Sequence, residues 1–80
     1  MKSDKEIAKA FIEDYKKSLE MEKVQEEVWR VAIKAADADE SNEALQDEVS
    51  NAYKSYVDLH AQTNTYARFA LDYAIKANLI

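Results

Sequence analysis

The sequence predicts an all-α protein: a long antiparallel helical hairpin that pairs into a homodimeric four-helix bundle. Three observations carry this expectation. Glycine, proline and cysteine are absent from the 80 residues, so the chain lacks the residues that the tight turns of a sheet protein require. Alanine, glutamate and lysine dominate the remainder, and all three favour helix. Between Leu45 and Ile80 the apolar residues recur at alternating steps of four and three, which is the spacing of a helical seam.

The first helix is expected over about residues 3–37. Ser3 opens a capping box with Glu6, whose backbone N–H can donate to the Ser3 hydroxyl. Asp4 and Glu6 suit the positive start of the helix. Nothing up to Ala36 breaks a helix, which gives a rod of roughly 50 Å. Its apolar stripe changes face. Ile7, Ala8, Phe11, Ile12, Tyr15 and Leu19 form one row, and Met21, Val24, Val28, Val31 and Ala35 form another, rotated from the first. Trp29, Ile33 and Ala36 make a third row beside the second. Either the helix bends near Ser18–Glu22, or one straight helix presents its two halves to different neighbours. The good helix formers Leu19, Glu20 and Met21 favour the straight helix.

The turn is expected at about residues 38–41, where Asp37-Ala38-Asp39-Glu40-Ser41-Asn42-Glu43 is the one strong loop signal. Asp39 or Ser41 is the expected N-cap of the next helix. That helix is expected over about residues 42–78. Leu45, Val49, Ala52, Tyr56, Leu59, Thr63, Tyr66, Ala70, Tyr73, Ala77 and Ile80 form its seam. A flanking row of Tyr53, Val57, His60, Ala67, Leu71 and Ala74 widens the stripe, as contact with two neighbours would require. The poor helix formers Gln62-Thr63-Asn64-Thr65 mark a place where this helix could break, against which stands the unbroken seam. The whole chain, residues 1–80, reads as one domain, and a lone hairpin of this length does not bury stripes so wide. Pairing two hairpins would.

Charge is the most informative functional feature. The net charge is −5, which argues against direct binding to nucleic acid or to an anionic membrane surface. The charge is concentrated. From Glu20 to Glu48 there are ten acids (Glu20, Glu22, Glu26, Glu27, Asp37, Asp39, Glu40, Glu43, Asp47 and Glu48) against three bases, while the segments on either side each carry +1. A hairpin gathers this block around its turn end. Such a tip can present carboxylates to a basic groove, as a nucleic-acid mimic does. The plainer reading is a solvated turn whose acids satisfy a helix start.

Tyrosine is the second feature. Tyr53, Tyr56, Tyr66 and Tyr73 lie on or beside the second seam. Tyr53, Tyr56, His60 and Asn64 could line a pocket for a small polar or nucleotide-like ligand. The alternative is a core or interface whose hydroxyls reach the rim. Trp29 is the only tryptophan, and it reads as core if the second helix covers it and as a partner-binding anchor if not.

Catalysis is not expected. His60 lacks a Glu three residues before it, so the bundle metal motif is absent and no metal or cofactor is implied. Glu26 and Glu27 point apart on a helix, and Glu26 is placed to pair with Arg30. The residues carry no signal peptide or membrane span, so a cytoplasmic protein is expected, in the host cytoplasm if it is viral. The function expected is a small non-catalytic inhibitor or adaptor, of the phage or mobile-element type, acting on a basic, nucleic-acid-handling protein; the alternatives are a ligand-sequestering bundle using the Tyr53, Tyr56, His60 and Asn64 pocket, and a structural self-assembly unit driven by the open-end stripe of Ile7, Phe11 and Tyr15.

Overall fold

A computed structural model describes all of residues 1–80. It contains two helices, α1 (Asp4–Ala38) and α2 (Glu43–Lys76), and no strand. They lie antiparallel and pack on each other along a rod of 56 × 20 × 13 Å. The smallest of these extents is that of one layer of helices, so both broad faces of the hairpin are open.

Caps fix where each helix begins and ends. The Ser3 hydroxyl accepts from the Glu6 N–H at 3.2 Å, as the spacing predicts. The N-cap of α2 is Asn42 rather than Asp39 or Ser41: its carboxamide oxygen accepts from both the Ala44 and Leu45 N–H groups. Asp39 instead closes α1, its N–H donating to the Ala36 carbonyl, while its carboxylate takes the Ser41 hydroxyl and the Asn42 amide. At the far end Leu79 donates to the Ala74 carbonyl and Asn78 to that of Ile75. This is a Schellman stop, and Asn78 takes its left-handed position at φ 59°. In a chain without glycine, asparagine is the residue that adopts that conformation most readily.

The helix α2 continues without a break through Gln62–Thr65. Thr63 and Thr65 donate their hydroxyls to the carbonyls of Leu59 and Ala61, one turn back. Both are therefore satisfied inside the helix instead of competing with it. The seam from Leu45 to Ala77 is buried or half-buried throughout; Ile80, past the end of the helix, is exposed. Of the flanking row, Tyr53, Val57, His60 and Leu71 face solvent.

The helix α1 is also unbroken, and its packing seam never changes face. Ala8, Phe11, Tyr15, Ser18, Glu22, Gln25, Trp29, Ala32 and Ala36 keep one register of three and four and are all buried or half-buried. The apparent shift of stripe arises because this seam turns polar at Ser18, Glu22 and Gln25. The row Met21, Val24, Val28 and Val31 is exposed. Close approach of the helices rests on small side chains: Ala8, Ala36, Ala52, Ala70 and Ala74 are the buried apolar residues, and no large side chain is fully buried.

Candidate functional site

Three features of the hairpin have chemistry to offer: the acidic turn, a polar layer across the middle, and an aromatic ladder beside it.

The ten acids separate into two sets. Asp37, Asp39, Glu40, Glu43, Asp47 and Glu48 surround the turn, all exposed, and none forms an ion pair. Glu20, Glu22, Glu26 and Glu27 lie further down α1, Glu20 about 27 Å from its end at the helical rise. Glu20 pairs with Lys23 at 3.3 Å and Glu26 with Arg30 at 2.7 Å, both on the surface. Glu27 has no ionic partner. Glu22 is a correction to the sequence reading, which placed it on the partner-facing surface: it is buried in the helix interface, at 7% exposure.

The turn acids differ in what local structure gains from them. Glu43 sits in the first turn of α2, where a carboxylate meets the positive end of the helix. Asp37 stands in the last turn of α1, Asp39 is its C-cap, and no basic residue offsets them there. Carboxylates at that end oppose the helix dipole.

The polar layer joins α1 to α2 at mid-rod. The Ser18 and Thr63 hydroxyls lie 2.6 Å apart and both residues are buried. Glu22 Oε1 lies 2.7 Å from His60 Nδ1, and Gln25 donates to the Ala52 carbonyl at 3.2 Å. Burial pushes the Glu22 carboxyl up; the nearby Thr63 hydroxyl, the hydrogen bond with His60 and the charge of His60 pull it down further, so it titrates below its ordinary value. Thr63 has one hydroxyl proton and gives it to the Leu59 carbonyl at 2.9 Å, which leaves its oxygen free to accept from Ser18. No buried side-chain polar atom is left without a partner.

Trp29 is half-buried against α2. Its ring lies 5.0 Å from that of Tyr53 and 5.9 Å from that of Tyr56, and Tyr56 stacks on His60 at 6.1 Å. The sequence-predicted ligand residues Tyr53, Tyr56 and His60 thus meet in a ladder through Trp29, each ring having another ring as its neighbour. Asn64 is exposed one turn beyond His60. A second cluster at the open end sets Phe11 against Phe69 and Tyr73, with Lys76 over the Tyr73 ring.

No three His, Asp or Glu side chains converge on a point where a metal ion could be held. Neither helix is long and apolar enough to cross a membrane. Sequence reasoning missed the pairing of Ser18 with Thr63 and of Glu22 with His60. The signal was present in the register: extending the seam of Ala8, Phe11 and Tyr15 by the same steps lands on Ser18 and Glu22. Comparison of the chain with protein-family models, with curated proteins and with solved structures finds no match.

Proposed function

We propose that the protein is a non-catalytic binding module that sets its acidic turn against a basic surface of a protein partner. The partner class that fits is a protein that handles nucleic acid, whose phosphate-binding groove a cluster of carboxylates can occupy and block. The observation that carries this reading is the placement of Asp37, Asp39 and Glu40. They crowd the C-terminal end of α1 and the turn, without a cation to offset them. Local stability alone favours basic residues there. Glu43, Asp47 and Glu48 extend the same exposed end into α2.

The test is capture from nuclease-treated host lysate with the wild type beside Glu40→Lys/Glu43→Lys, followed by mass spectrometry. Support is a basic protein held by the wild type, released by rising salt and lost in the variant. Equal capture by both forms rejects the acidic end as the working surface.

A further inference from the structure

We infer that the exposed row on α1, Met21, Val24, Val28 and Val31, is the contact between two copies of this chain, paired antiparallel about a two-fold axis between Val24 and Val28. The inference is independent of the acidic turn. These four side chains are 48–67% exposed and follow one another at steps of three, four and three. That is a helix-pairing seam with nothing on it. Because the steps read the same in both directions, the row is complementary to itself: Met21 meets Val31 of the second copy and Val24 meets Val28, as a two-fold interface requires.

Surface area supports a second copy as the occupant. The chain exposes 5993 Å², whereas a compact protein of 9.2 kDa exposes about 4,900 Å². The excess of about 1,100 Å² is more than enough to supply the roughly 800 Å² per partner that a standard stable interface removes. Stacking a second layer on a hairpin 13 Å thick also produces the layered architecture in which helical hairpins normally bury their faces.

Charge fixes the direction. The residues flanking the row on its outer side are Glu20, Glu27 and Lys34. In the antiparallel register Glu20 faces Lys34 of the second copy, and the two-fold repeats the pair. Lys34 makes no ion pair within the chain, and the bridge from Glu20 to Lys23 is exposed and weak. Glu27 faces its own copy at the axis, a repulsion that the contact tolerates. A parallel pairing would set these residues against Gln25 and Ala32 and gain no ion pair.

Sedimentation equilibrium of the full chain over a concentration series tests this. The wild type should be a dimer, and Val28→Glu should be a monomer with unchanged helical circular dichroism. Glu20→Lys and Lys34→Glu should each weaken dimerisation about tenfold, since each creates two like-charge pairs of the exposed kind. The double swap Glu20→Lys/Lys34→Glu should restore it, which a misfolded variant could not do, and Glu27→Gln should tighten it. A wild type that stays monomeric throughout the series overturns the inference, as does a dimer indifferent to Val28→Glu or a double swap no tighter than its single parents.

Discussion

Glu22 Oε1 and His60 Nδ1 lie 2.7 Å apart, joining residues 38 positions distant in the chain. Glu22 is buried while the His60 side chain is about half exposed, so the pair is a buried carboxylate reached from the surface by a ring. Together with Ser18 and Thr63 it makes the middle of the interface polar. An apolar seam of alanines would let the helices slide by a turn at little cost. The buried Glu22 carboxylate, matched across the interface to His60, and the buried Ser18 hydroxyl, matched to Thr63, penalise other registers.

Removing the partner should therefore cost more than a surface contact would. His60→Ala removes the 2.7 Å contact to the buried Glu22 carboxylate and leaves it only the Thr63 hydroxyl across the interface, and the expected loss is about 1–3 kcal/mol. Part of that figure is the stacking on Tyr56. Urea unfolding followed by circular dichroism measures it, and a change within ±0.5 kcal/mol, the range of ordinary surface substitutions, would show that the pair contributes nothing.

The same carboxylate gives the hairpin an acid limb. Glu22 titrates below the ordinary carboxyl value of 4.5 in the fold, so the unfolded chain takes up the proton first as pH falls. Its contribution to stability is complete above pH 4.5 and is lost as pH drops further, through the folded-state value. Glu22→Gln should flatten the dependence of stability on pH below 4.5. Thermal unfolding of both forms between pH 2.5 and 7 checks this, and parallel curves would contradict it.

Ser18 and Thr63 invite a double-mutant cycle. Ser18→Ala alone strands a buried Thr63 hydroxyl on one side, although the Leu59 carbonyl still accepts from it. Thr63→Val alone removes the group that satisfies Ser18 and one that faces Glu22. Each single change should destabilise by about 1–2 kcal/mol, and the double change by clearly less than their sum. Strict additivity would mean that the 2.6 Å contact carries no coupling.

The fold was legible because its determinants are local. Helix formers, the Ser3 cap and the seam of α2 need no knowledge of what lies opposite. The weak point at Gln62–Thr65 could not be resolved that way, since threonine hydroxyls that bond one turn back are seen only once the helix exists. The α1 seam was misread for a related reason. Hydrophobicity marks a buried position only while the position is apolar, and Ser18, Glu22 and Gln25 are buried by virtue of partners on the other helix. The sequence likewise shows ten acids in one block, but not that Glu22 turns inward while Asp37 turns out. Asn42 does not stand out as the cap because Asp39 and Ser41 beside it have equally good capping side chains.

Asp37 offers the sharpest separation of stability from function. It occupies the last turn of α1, exposed and without an ionic partner. Reversing its charge there should improve the interaction with the helix dipole, by about 1 kcal/mol for the change of sign. In a domain of this size that raises the melting temperature by about 4–8 °C. If the turn end is the surface that meets a basic partner, Asp37→Lys should also weaken that binding, so one substitution makes the protein more stable and less active. Melting and partner capture measured on the same preparation decide the matter. A gain in stability with capture undiminished would make the acids at this end an ordinary solvated turn, and a loss of stability would mean that Asp37 has a structural partner in the folded chain.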